Sequence, residues 1–126
     1  MADYLIKRFA DVSVEVCLRI NDIAITNTDY TIRCKMRNRT KVDHSEPFVS
    51  VNGTFLEFTV TNSLTDLDRV FITLTDVQTG TLTATGCVTD DRLPLLDFEL
   101  DRTSDGYRFH TVSQTVSVVE SQAQDE

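Results

Sequence analysis

Apolar residues in this chain return at every second position. Val12, Val14, Val16, Leu18 and Ile20 fall on one side of an extended backbone, with Ser13, Glu15, Cys17 and Arg19 on the other. The same alternation runs through Tyr30, Ile32, Cys34 and Met36, then through Leu56, Phe58 and Val60. It recurs at Val70, Ile72 and Leu74, and again at Val112, Val116 and Val118. A β-strand points successive side chains to opposite faces, so each segment reads as a strand with one buried side. The frequent valine and threonine suit such a surface. No stretch sustains a helical apolar period, although residues 4 to 9 fit either a short helix or an extra strand.

Turn chemistry separates the strands at Asn21-Asp22, Asn52-Gly53, Thr79-Gly80 and Ser104-Asp105-Gly106. Seven to eight short strands of this kind predict an all-β fold, an antiparallel β-sandwich. The 126 residues suffice for one domain and one core. We divide the chain into an N-terminal extension (1–11), the sandwich (12–119) and a polar, acidic tail (120–126) expected to fray.

The longest apolar run falls far short of the roughly 18 residues of a membrane span. The first ten residues mix Asp3, Lys7 and Arg8 with Tyr4, Leu5, Ile6 and Phe9, unlike a secretory signal. Cys17, Cys34 and Cys87 form no C-x-x-C pair and read as buried, reduced thiols, which predicts a cytoplasmic setting. The N-x-[ST] triplets at Asn38 and Asn52 then read as chance matches. Residues 1 to 63 hold eight acidic and eight basic side chains, whereas residues 64 to 126 hold twelve and four. The net charge of −8 therefore belongs to the second half and speaks against nucleic acid as a partner.

In order and spacing these segments resemble a C2 domain. Val12 to Ile23 resembles its opening strand, and Asp29-Tyr30-Thr31-Ile32 the D-P-Y-V start of a following one, without the proline. Thr40-Lys41-Val42, Glu46-Pro47 and Asn52 to Phe58 resemble the T-K-x…N-P-x-W-N-E-x-F-x-F segment, without the tryptophan. Val70 to Asp76 resembles L-x-I-x-V-x-D, and Thr85 to Val88 with Leu93-Pro94-Leu95 the I-G-x-x-x-I-P-L segment. The resemblance implies a C2-like sandwich; immunoglobulin-like and other sandwiches are the alternatives.

The family's calcium site gathers carboxylates from two loops, because Ca²⁺ takes six to eight oxygens. Asp29 and Asp76 occupy two of the matching positions here. Gln78 replaces the next acid, Thr79 to Thr85 carry none, and Asp22 and Asn27 in the first loop align poorly. No metal or other cofactor is expected, with Asp29 and Asp76 as turn caps.

The densest local signal is basic. Arg33, Lys35, Arg37, Arg39 and Lys41 stand at alternate positions with no acid between Tyr30 and Val42. On one extended strand all five would share a face about 7 Å apart and repel one another. In C2 domains the corresponding strand often binds acidic headgroups or peptides, so the resemblance makes these five the candidate binding residues. The competing reading pairs them with Glu15, Asp43, Glu46 or Glu57 from neighbouring strands, as an ordinary surface. If they are unpaired, reversing Lys35 and Arg37 to glutamate should leave the melting temperature unchanged or raised.

No catalytic constellation is evident, and no enzyme activity is expected. His44 and His110 lie in no metal-ligand spacing and read as solvated, and there is no G-x-S-x-G elbow or phosphate-binding glycine loop. Leu93, Pro94, Leu95 and Leu96 read as core rather than as a partner patch.

The expected function is a non-catalytic C2-like protein-interaction module, the N-terminal domain of a larger scaffold or cytoskeleton-associated protein, binding an acidic protein segment. The alternative is calcium-independent targeting to phosphoinositides or other anionic membrane lipid. Against lipid stand the −8 charge, the lack of tryptophan and the absence of an apolar pair at the loop tips. The two poles of charge also permit head-to-tail self-association.

Overall fold

A computed structural model describes residues 2–40, 46–86, 88–110 and 113–120. Lys41, Asp43, His44, Cys87, Val112 and the tail residues 121–126 lie outside the described residues. The strands are β1 (Tyr4–Lys7), β2 (Val12–Cys17), β3 (Arg19–Ile20), β4 (Ile23–Ala24), β5 (Tyr30–Arg37) and β6 (Leu56–Asn62). They continue with β7 (Arg69–Leu74), β8 (Leu95–Arg102), β9 (Arg108–His110) and β10 (Gln114–Val119). One short helix, α1 (Asp76–Gly80), and two 3-10 turns complete the described elements.

The alternation predicts this all-β, mainly antiparallel architecture. One large sheet runs β1-β10-β8-β5-β6-β7-β2, with β9 beside β8, and only the β1–β10 pair is parallel. β6 turns a corner. Leu56 to Phe58 pair with β5, whereas Thr59 to Asn62 pair with β7, so the sheet curls around a single core into a nearly closed barrel. Of the two readings for residues 4 to 9, the strand is realised over Tyr4–Lys7, and Ile6 enters the core.

Inward positions on five strands fill that core: Cys34 and Met36 from β5, Leu96, Phe98 and Leu100 from β8, Val70, Ile72 and Leu74 from β7, Phe58 from β6, and Val116 and Val118 from β10. Burying a side chain of this size contributes roughly 1.5–3 kcal/mol, so the period-2 pattern is the main source of stability. Leu93 to Leu96 are all buried, as the core reading requires.

Local chemistry explains the connections. Asn21 and Asp22 both take positive φ (51° and 64°), the two-residue turn that closes the β3–β4 ribbon. Gly53 and Gly106 also lie at positive φ in their expected turns. Thr79-Gly80, read as a turn, instead ends α1. The Thr75 hydroxyl accepts from the Gln78 amide at 3.2 Å, and the Gln78 carboxamide accepts from the Thr75 amide at 2.8 Å. That reciprocal cap favours a helical turn over an open one.

The barrel has two ends. β2 finishes, β7 and β5 begin and β8 finishes at the upper end; the reverse holds below. At the upper end, buried Asn27 donates its Nδ2 to the carbonyls of Ser63 (3.1 Å) and Arg69 (2.8 Å). It thereby ties the 3-10 turn before β5 to the β6–β7 connection. Asn38, the start of one N-x-[ST] triplet, similarly holds the chain beyond β5. Its Oδ1 accepts from the amides of Ser50 and Val51 (both 2.9 Å), and its Nδ2 donates to the Val51 carbonyl at 2.7 Å.

Candidate functional site

β5 buries Cys34 and Met36, and this places Arg33, Lys35 and Arg37 on its outer face. Three of the five expected cations therefore share the strand. Arg39 lies past the end of β5 and donates its Nε to the Leu93 carbonyl at 3.3 Å. Lys41 is outside the described residues.

The neighbours of β5 decide what those cations do. β8 runs antiparallel beside it, with Leu96, Phe98 and Leu100 inward and Asp97, Glu99 and Asp101 outward. Glu99 stands opposite Arg33, and Asp97 opposite Lys35. On the other side Glu57 of β6 is also opposite Lys35. The actual pairs run diagonally. Arg33 grips Glu57 through two hydrogen bonds of 3.0 and 3.1 Å, and Arg37 Nε reaches Asp97 at 2.7 Å. Arg108 of β9 completes the ladder, meeting Glu99 at 3.1 Å and Asp101 at 2.7 Å.

Each link appears in the proton affinities. Hydrogen bonding to Arg33 holds the Glu57 carboxyl below the usual carboxylate range, and Arg108 does the same to Asp101. The expected unbroken basic track is thus an alternating surface, and Glu57 is a partner that the salt-bridge reading names. Asp97 and Glu99 were not anticipated. Their signal was present: Leu96-Asp97-Phe98-Glu99-Leu100-Asp101 is a further period-2 segment, acidic where β5 is basic.

Lys35 is the exception. Both carboxylates in its register are engaged by arginines, and its ammonium lies 4.5 Å from the Phe55 ring centroid instead, a cation–π contact. Lys35 lines a groove of about 460 Å³, with Arg33, Arg37, Phe55, Glu99 and His110 around it. Thr54 and Ser113 add hydroxyls at the rim, and the Ser113 hydroxyl donates to Asp97. Arg33, Arg37 and Arg108 meet four carboxylates, Glu57, Asp97, Glu99 and Asp101, so with Lys35 the charges of this face balance. Among the described residues, Lys35 is the cation of the groove that no carboxylate holds by a hydrogen bond.

The two calcium-position acids are not brought together. Asp29 precedes β5 at the upper end, and Asp76 follows β7 at the lower end. The Asp76 amide is bonded to the Asp11 carboxylate, and Gln78 is occupied in the α1 cap. Asn27, the first-loop candidate, points its amide at two carbonyls. No group of three or more potential ligands occurs among the described residues. Millimolar calcium should therefore leave the melting temperature unchanged in a thermal-shift titration. A shift of several degrees would show a site that these positions do not explain.

The thiols divide. Cys34 is fully buried, and burial pushes its thiol pKa far above the ordinary value. Cys17, expected inside, is exposed, because β2 presents Ser13, Glu15 and Cys17 outward. His110 is exposed as anticipated and lines the groove. No helix of the described residues is long and apolar enough to cross a membrane.

Comparison of the sequence with protein-family models finds no match, and comparison with curated proteins finds none either.

Proposed function

We propose that this chain is a non-catalytic interaction module that holds an acidic segment of a protein partner in the groove over Lys35. One observation carries the reading: among the described residues Lys35 is the cation of this face that no carboxylate holds by a hydrogen bond, and it stands beside the exposed Phe55 ring. A partner carboxylate would meet an ammonium that Glu57 attracts across the strands but does not hydrogen-bond, whereas at Arg33 or Arg37 it would have to displace a hydrogen-bonded Glu57 or Asp97. Phe55 adds apolar area next to the charge, the combination that makes a contact energetically significant.

The C2-like sandwich, the cytoplasmic setting and the scaffold or cytoskeletal context belong to the same proposal. They rest on the order of the sequence segments. The placement of Asp29 and Asp76 at opposite ends of the barrel counts against a calcium-binding C2 domain and leaves the calcium-independent form as the reading.

The test is titration of isotope-labelled chain with acetyl-Glu-Asp-Glu-Asp-Glu-amide, beside vesicles containing phosphoinositide. The peptide should shift amides of β5 and β8 around Lys35. Its affinity should fall as salt rises, since exposed charges are screened within about 10 Å at 0.1 M. Lys35→Met should weaken it at least tenfold. Unchanged affinity in that variant removes the proposal. Vesicle binding without peptide binding replaces it by the lipid reading.

A further inference from the structure

The chain has five asparagines, and four of them are protected from a reaction open to this residue type. The backbone nitrogen that follows an asparagine can attack its side-chain carboxamide, one reason that asparagine is thermolabile. A side chain on the following residue hinders that attack, and hydrogen bonds on either group oppose it. Asn27 is fully buried, with its Nδ2 bonded to the carbonyls of Ser63 and Arg69. Asn38 has both its Oδ1 and its Nδ2 engaged, by Ser50 and Val51. Asn62 lies in β6, and the amide that follows it, that of Ser63, donates to the Arg69 carbonyl at 3.1 Å. Asn21 precedes Asp22, whose carboxylate crowds the backbone nitrogen and disfavours its deprotonation.

Asn52 has none of these protections. It is exposed and followed by Gly53, and among the described residues neither its carboxamide nor the Gly53 amide has a hydrogen-bond partner. Gly53 takes a φ of 91°, and a Cβ placed there would meet nothing within 4 Å, so this turn has room to move. Asp105-Gly106 is the closed counterpart. The Gly106 amide donates to the Arg102 carbonyl at 2.7 Å, and Arg102 grips the Asp105 carboxylate at 3.0 and 2.9 Å. Those side-chain bonds hold Asp105 ionised, its pKa lowered to about 2, and an ionised carboxylate offers no leaving group.

We propose that Asn52 deamidates spontaneously in the folded chain and so places a new carboxylate at the rim of the groove over Lys35. Hydroxide removes the Gly53 amide proton, and the nitrogen attacks Asn52 Cγ. The C–N bond of the carboxamide then breaks, releasing ammonia and leaving a succinimide ring. Water opens that ring at Cγ to give aspartate, or at the main-chain carbonyl to give isoaspartate, whose backbone runs through Cβ. Either product adds one negative charge to the net −8. Two residues of chain span at most about 7 Å, so the charge arrives close to Thr54 at the rim of the groove. In isoaspartate the extra backbone atom also falls just ahead of Phe55, whose ring centroid lies 4.5 Å from the Lys35 ammonium. The modification does not depend on the groove being a binding site; only its effect on a ligand rests on that reading.

The test ages the native chain at neutral and at mildly alkaline pH and follows each asparagine by peptide mapping with mass spectrometry. Asn52 should convert at least about tenfold faster than Asn21, Asn27, Asn38 and Asn62, since groups held by the structure react only on local opening. Its rate should rise in proportion to hydroxide concentration. Amide resonances of Thr54, Phe55 and Lys35 should move as product forms. Asn52→Gln, which would have to close a larger ring, should slow conversion by a similar factor and leave those resonances in place. Conversion of Asn52 no faster than that of Asn62, or product that forms without a shift at Lys35, would overturn the proposal. Both readouts use the unaltered chain, so they decide it even if the glutamine variant misfolds. Asn52→Asp should also weaken binding of acetyl-Glu-Asp-Glu-Asp-Glu-amide about two- to threefold, the weight of one charge at roughly 8 Å in water. If the fresh chain binds no peptide, the groove reading falls, while the mapping still decides the modification.

Discussion

Asn27→Ala should lower the unfolding free energy by about 2–3 kcal/mol, read from urea denaturation with an unchanged m-value. The side chain is fully buried, and its Nδ2 supplies a hydrogen to the Ser63 carbonyl and another to Arg69. Arg69 O keeps the Ser63 amide as a partner at 3.1 Å, so Ser63 O is the acceptor that suffers most. A buried acceptor left without a donor costs about 1–3 kcal/mol, and the lost packing adds to it. Asn27→Asp should be worse than alanine, because it sets acceptor oxygens against two carbonyls at a site closed to water. If aspartate is tolerated as well as asparagine, the two amide hydrogen bonds are not what holds this end of the barrel.

Asn27 also shows where sequence reading stops. Spacing alone places it in the first loop beside the calcium-site positions, since an asparagine in a polar stretch says nothing about which carbonyls the fold brings to it. The strands were legible because alternation is a local property: Val12 to Val16, Ile32 to Met36 and Val70 to Leu74 are buried in phase. Pairing is non-local, and it decided the meaning of the basic strand. Nothing within residues 33–41 reveals that Asp97 and Glu99 lie beside them, more than fifty positions along the chain. The charge asymmetry between the halves was the available clue, because the acidic excess of the second half includes the residues laid against the cations of the first. Helix α1 escaped notice for a different reason. At five residues it has no room to show a period, and only the Thr75–Gln78 cap marks it.

Reversing Arg33 and Arg37 together to glutamate should lower the melting temperature clearly, whereas Lys35→Met should leave it nearly unchanged, although all three project from one strand. Each reversal forfeits a pair, to Glu57 or Asp97, and then sets like charges on adjacent strands. Arg37 matters more than a freely exposed residue would, since Asp97 is only 23% exposed and no other cation among the described residues lies at that distance. Reversal at Arg37 is therefore not neutral, contrary to the expectation for an unpaired row. Methionine at position 35 keeps the stem against Phe55 and strands no carboxylate. The loss in the double reversal should shrink in 1 M salt, where screening acts within about 3 Å. It should also depend on pH in a definite sense. Glu57 and Asp101 titrate below the unfolded carboxylate range, so the ladder stabilises fully above about pH 5 and loses its contribution as pH falls through the folded values. Equal destabilisation by Lys35→Met and Arg37→Met would make Lys35 one more rung of the ladder, and the groove would then hold no free cation to offer a partner.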